Sequence, residues 1–335
     1  MLLSSTVNNG LLENIDAQCG TTSVNQPIKT KTANLNEALH WYFGIAEQNA
    51  SNWNADDDNQ TSPPIDTQNI VSGTNRYKLS AFTEEILSIL KLEVDDGTGN
   101  FISLYPETLD SFGNVVGNAS GQISGFSSGS FDELYINAPS GIPSAYIKYG
   151  GFIYLNKKPN YNATSGLKAY FNRPATLFSF VSCQPEADDE LITAASHGLT
   201  TNDTVIFEVN STGTISAGLT ADTEYYVIAS GLTTSVFRVS ATLGGSTVNI
   251  TTDGTNVHFL KTNKEPGIPS NHHPILHRKA SAIFMENNNT GGVYNSRLQT
   301  LLPEIVKDEK TIGAYYARRD KDLRKRLTPK WQDNK

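Results

Sequence analysis

Thr204-Val205-Ile206-Phe207-Glu208-Val209 is the clearest of a series of short β runs whose reading decides the fold. β-Branched and aromatic side chains suit a pleated, half-buried surface, and a run of this length is short for a helix. Similar runs recur at residues 191–195, 224–230, 235–240, 247–251 and 257–260, with turn residues between them and no helix-length stripe. Short strands at this spacing predict a small barrel or sandwich. Residues 184–260 are also acidic, with nine Asp and Glu against the single cation Arg238. The flanks are Phe171-Asn172-Arg173-Pro174 and Glu265-Pro266-Gly267-Ile268-Pro269. They frame residues 183–263 as a complete β-domain inserted between a sheet and a helix, a tolerable arrangement because domain termini often lie close together.

Upstream, residues 65–181 read in period two with turn punctuation. Strands are expected at 75–79, 86–94, 101–104, 145–149, 152–155 and 167–171, forming an antiparallel sheet of about five or six strands. Asp95-Asp96-Gly97-Thr98-Gly99 is the hairpin turn before Phe101, and the Gly- and Ser-rich residues 111–130 read as a mobile loop. Residues 34–49 carry Leu35, Leu39, Tyr42, Phe43 and Ala46 at helical spacing, with Asn34 and Glu37 in capping-box positions. Residues 1–33 are polar and aperiodic, so an extended N-terminal arm is expected.

Downstream, residues 272–288 predict a helix that buries Ile275, Leu276, Ala280, Ile283 and Phe284 and starts at Pro274. Residues 293–322 predict a second helix buried through Leu298, Leu301, Leu302, Ile305, Val306, Ile312, Tyr315 and Tyr316, with a kink or break at Pro303. Residues 318–335 form a basic tail. The fold class is therefore α+β: an antiparallel sheet with N- and C-terminal helices and an inserted all-β domain. The expected body is residues 34–182 with 264–317.

Of the 335 residues, 38% are hydrophobic and 18% charged, with 31 Asn, 33 Thr and 26 Gly. That mix opposes an all-helical protein or a coiled coil. The net charge of −8 joins unlike parts. The inserted segment is acidic, whereas from Lys310 onward nine Lys and Arg face three Asp. The acidic balance argues against the whole chain coating nucleic acid. No apolar run reaches the ~18–20 residues of a membrane helix, and Met1-Leu2-Leu3-Ser4-Ser5 lacks the basic start of a signal peptide. Cys19 and Cys183 exclude a disulfide framework and suit free thiols in a reducing compartment.

Candidate chemistry is sparse. His273 and His277 stand at i, i+4 beside His272, a spacing able to share a metal, but Pro274 replaces the Glu of an HExxH motif. Helix-start packing is the expected role for these histidines. Asp56-Asp57-Asp58 lacks the glycine and distal Glu of a calcium loop. Gly97-Thr98-Gly99 is a turn without the Lys-Ser/Thr of a phosphate loop. Neither a cofactor nor catalytic residues are expected. Trp41, Tyr42 and Phe43 read as core, and Trp53, alone in a polar loop, reads as an interface anchor.

The order of segments resembles the head–tail adaptor (neck) proteins of tailed bacteriophages, across about residues 34–182 and 264–325. The stretches that carry this are Trp53 to Asp58 after a short helix, Gly73-Thr74-Asn75-Arg76-Tyr77-Lys78-Leu79, and Gly141-Ile142-Pro143 through Ile153-Tyr154-Leu155. They continue with Pro266-Gly267-Ile268-Pro269 and Tyr315-Tyr316-Ala317-Arg318-Arg319-Asp320. Separately, Ser196-His197-Gly198-Leu199, Phe237-Arg238-Val239-Ser240 and Thr252-Asp253-Gly254-Thr255 resemble an all-β module recurrent in phage virion proteins. The resemblance implies a non-enzymatic virion protein assembled in the host bacterial cytoplasm. It implies a homo-oligomeric ring of about twelve copies, bound to the portal, to the next tail or neck component and in passing to packaged DNA, with no membrane. Tyr315, Tyr316, Arg318, Arg319, Arg324, Lys325 and Arg326 would face the portal. The alternatives are a tail, baseplate or host-binding protein that uses the β-domain as adhesin, or a virion-associated hydrolase, which needs paired carboxylates in a cleft.

Overall fold

A computed structural model describes residues 1–5, 9–22, 25–49, 64–83, 85–109, 115–117 and 130–326, with side chains as far as Arg318. Two compact units emerge: Asn52–Pro174, and Met1–Ser51 with Ala175–Lys335. The predicted body is thus divided. The β-domain shares its unit with the helices, and the upstream sheets form the other.

The N-terminal residues are not an extended arm. Leu11–Cys19 is a helix (α1) that buries Leu11, Leu12, Ile15 and Cys19. Ahead of it, the Leu3 and Ser4 amides donate to the carbonyls of Lys264 and Thr262, and Leu3 is fully buried. Ile28–Asn49 follows as α2, starting six residues before the predicted cap. Asn34 lies buried within the helix and caps nothing. The polar stretch misled because Lys31 is itself core: its side chain is 3% exposed and its ammonium meets Asp16 of α1 at 2.7 Å.

The Asn52–Pro174 unit contains β1 (Ile65–Ile70), β2 (Arg76–Lys78), β3 (Ser88–Asp95), β4 (Phe101–Ser103), β5 (Tyr105–Leu109), β6 (Val115–Gly117), β7 (Ala145–Tyr149), β8 (Phe152–Leu155) and β9 (Ala163–Asn172). Instead of one sheet there are two, ordered β1-β9-β3-β4 and β2-β8-β7-β5-β6. The β5–β7 pair is parallel, a correction to the all-antiparallel expectation. The two sheets share one core, in which Leu92, Leu167 and Phe171 of the first meet Tyr77, Tyr146 and Ile153 of the second. The predicted turn closes β3 onto β4: the Asp95 carboxylate accepts the amides of Gly97 and Gly99, which sit at φ 90° and 93°. Apart from β6 and Ser130, the predicted 111–130 loop lies outside the described residues.

The β-domain is a closed barrel of six strands: β10 (Val181–Pro185), β11 (Ile192–Thr193), β12 (Thr204–Thr214), β13 (Glu224–Ile228), β14 (Val236–Ser240) and β15 (Thr255–Lys261). The barrel starts before residue 183, because β10 is the strand that closes it. Val181 to Cys183 pair with β15, and Gln184 and Pro185 pair with β11. Closure removes the exposed edges that invite aggregation. The expected strand at 247–251 is absent. That segment makes one bridge, Ser240 to Thr247, and crosses so close to Gly218 (φ 105°) that a Cβ there would stand 2.0 Å from the Asn249 carbonyl oxygen. Alternate residues of the strands, among them Val205, Phe207, Val227, Phe237, Val239, Val257 and Phe259, fill the interior.

His273–Asn287 (α3) begins with Pro274 and buries all five predicted residues. It packs against α1, α2 and the last helix, α4 (Asn295–Arg326). Pro303 neither ends nor divides α4. Its ring is on the exposed side, where water can serve the Gln299 carbonyl that the missing N–H leaves open. Among the described residues no helix is long and apolar enough to cross a membrane.

Candidate docking surface on the C-terminal helix

Helix α4 is held along a narrow seam. Leu298, Leu301, Ile305, Asp308, Ile312 and Tyr316 are buried, at spacings of three and four residues. The predicted core residues Leu302 and Val306 lie one position off this seam and are 42% and 50% exposed. Three polar contacts fix the register. Arg278 of α3 donates Nε and an Nη to the two oxygens of Asp308 at 2.8 and 2.7 Å, a bidentate pair. The Trp41 indole of α2 donates to Glu309 at 3.1 Å. The Tyr316 and Tyr42 hydroxyls stand 3.2 Å apart, and the Tyr42 hydroxyl is 2.6 Å from His272 Nδ1.

The residues predicted to face a portal separate accordingly. Tyr316 is 1% exposed and belongs to the interhelical core, so it presents nothing to a partner. Its burial follows from the Tyr42 and His272 groups opposite it, which are remote in sequence. Tyr315 is half-buried, with its ring 4.8 Å from that of His272 and set edge-on. Arg318 is exposed. The backbone of Arg319, Arg324, Lys325 and Arg326 continues the helix, and their side chains lie outside the described set. Trp53 and Asp56 to Asp58 also lie outside the described residues. Tyr42 and Phe43 are core as expected, whereas Trp41 is only half-buried.

An open groove of about 580 Å³ runs between α4 and Asn271-His272, lined by Lys307, Lys310, Thr311, Ala314, Tyr315 and Arg318. Next to it, sharing Lys310 and Ala314, a second groove of about 670 Å³ is bordered by Trp41, Gly44, Gln48, Glu309 and Gly313. Lys307, Lys310 and Arg318 are exposed and form no ion pair among the described residues. The sequence counted cations from Lys310 onward and placed the docking ones after residue 317; the groove brings Lys307 and Lys310 together with Arg318.

The three histidines serve three different contacts. His273 Nε2–H donates to the Ile268 carbonyl, which leaves Nδ1 to accept the Met1 ammonium at 2.6 Å. His277 Nδ1 meets Gln18 Oε1 at 3.2 Å, and His272 meets Tyr42. Burial lowers the pKa of all three, that of His277 to about 4. The folded state therefore resists protonation that the unfolded chain accepts near pH 6.5. The histidine contribution to stability is flat above about pH 7 and falls as pH drops from 6.5 toward 4. At pH 5 His277 alone accounts for about 2 kcal/mol. Urea unfolding at pH 7.5 and pH 5 measures this loss, and His277→Gln should flatten it. A pH dependence left unchanged in His277→Gln would refute the assignment.

One contact was invisible in sequence. Glu208 on β12 accepts the Lys29 amide in the first turn of α2 at 3.2 Å, so the barrel supplies an acceptor for an amide at the helix start. Asp222 lies beside it, and burial raises the pKa of both carboxyls. Their separation in sequence gives no local signal. No protein-family model matches this chain, and no curated protein matches it.

Proposed function

We propose that this protein is a structural component of a tailed-phage virion: a head–tail adaptor that forms a ring between the portal and the next tail component. The observation that carries the reading is α4, a helix anchored in the core by half its length that continues as a cationic segment. Past Tyr316, its last buried residue among those described, lie Arg318, Arg319, Arg324, Lys325 and Arg326. A cationic helix end on an acidic chain suits docking onto an acidic protein surface. The resemblance in segment order supports the same reading, and heterologous contacts that close make a ring of about twelve copies.

Negative-stain images of the purified full-length protein test the ring. Closed rings are expected; trimers that bind host cells would favour a host-binding tail protein. Deletion of residues 318–335 tests the docking segment. It spares Tyr316 and the Arg278–Asp308 pair, so the melting temperature should hold while binding to purified portal rings is lost. Unchanged portal binding by the truncated protein would reject the segment's role.

A further inference from the structure

The groove beside His272 contains more positive charge than its own fold uses. Elsewhere in this unit Lys31 meets Asp16, Lys261 meets Asp203 and Arg278 meets Asp308, while half-buried Lys264 and Arg238 meet backbone carbonyls. Lys307, Lys310 and Arg318 meet no carboxylate among the described residues, although they lie three to eleven residues apart along one side of the helix, where like charges repel. His272 is 97% buried, lines the groove, and has no partner at Nε2 among the described residues. In the tautomer where the Tyr42 hydroxyl donates to Nδ1, the ring hydrogen sits on Nε2 and can meet an acceptor. Asn271, Thr311, Ala314 and Tyr315 complete the lining, with the Thr311 hydroxyl donating to the Lys307 carbonyl. This is a donor set for carboxylates.

The same chain carries a matching surplus of acid. The connection from β10 to β11 holds Glu186, Asp188, Asp189 and Glu190, with Asp253 beside it, where its carboxylate accepts the Ala187 amide. None of these carboxylates meets a Lys or Arg among the described residues. Arg238 donates to the Asp189 backbone carbonyl and the Ser230 hydroxyl, not to a carboxylate. Groove and connection form no ion pair with each other within one copy.

We infer that the cationic groove of one copy receives the acidic β10–β11 connection of a second copy. The two surfaces differ, so the contact is heterologous and repeats from copy to copy, the geometry a ring needs. The inference rests on the ring reading and names its subunit contact.

Charge reversal tests it in the full-length protein, with sedimentation velocity as the readout. Lys307→Glu/Lys310→Glu and Asp188→Lys/Asp189→Lys should each weaken self-association about tenfold or more. All four substituted residues are solvent-exposed, and thermal melts confirm that both variants fold. Mixing the two variants should restore assembly, since each then offers the other a complementary surface. About 1 M salt should dissociate the wild-type assembly. If the wild type assembles and both variants assemble equally well, the contact is overturned and the ring reading stands. If the wild type stays monomeric at all concentrations, both fall. If the groove variant alone loses binding to a duplex DNA probe while assembly is unchanged, the groove serves nucleic acid and the inference is overturned.

Discussion

Phe237→Ala should lower the unfolding free energy by about 4 kcal/mol, the largest effect expected from any single substitution considered in this protein. Phe237 is fully buried in β14, the strand between β11 and β13. Its ring stands 5.3 Å from Phe259 of β15, across the barrel, and 5.1 Å from His197 in the β11–β12 connection. Truncation removes its transfer energy, leaves a cavity the closed wall cannot collapse into, and deletes an edge-to-face aromatic pair. Urea denaturation followed by far-UV circular dichroism measures the loss. Phe237→Leu keeps most of the volume and should cost about half as much. A loss under about 1.5 kcal/mol for the alanine variant would mean that the barrel interior is not packed around this ring.

Asp308→Ala should cost about 3 kcal/mol. The Asp308 side chain is 11% exposed and that of Arg278 is 24% exposed, so the pair is only partly screened by water. Removing the carboxylate strands a guanidinium between α3 and α4 and frees the helix from its central clamp. The double variant Arg278→Met/Asp308→Leu removes both charges and should be markedly less destabilised than the single one. Limited proteolysis gives an independent reading, because α4 should become cleavable near residues 300–317 in Asp308→Ala first. A double variant no more stable than the single would show that the penalty is not an orphaned charge.

Legibility in the sequence followed the range of the interaction that fixes each element. Helix α3 was readable because Pro274 starts it and Ile275, Leu276, Ala280, Ile283 and Phe284 repeat at helical spacing. The β3–β4 hairpin was readable because Asp95, Gly97 and Gly99 build their turn from adjacent residues. Helix α1 was missed although Leu11, Leu12 and Ile15 carry a helical pattern, because nine residues give too short a stripe to outweigh polar neighbours. Lys31 could not be read as core, since its burial depends on Asp16 across a helix pair. Of the candidate site, Arg318 and its neighbours were legible as charge. The groove was not, since Asn271 and His272 come to Lys307 and Lys310 only through helix packing.

The sequence by itself determined the class, α+β, the existence of a separate run of short strands over residues 184–260, and the charge contrast between barrel and tail. These rest on composition and on periodicities of two and 3.6, which a few neighbouring residues settle. Only the tertiary structure decided that β10 closes the barrel, that β5 pairs in parallel with β7, that Tyr316 faces inward, and that the helices share a compact unit with the barrel. Each of these depends on groups separated by tens to hundreds of residues. Their apolar surfaces and unpaired backbone groups find partners only once the chain has collapsed, and no local pattern encodes which partner that will be.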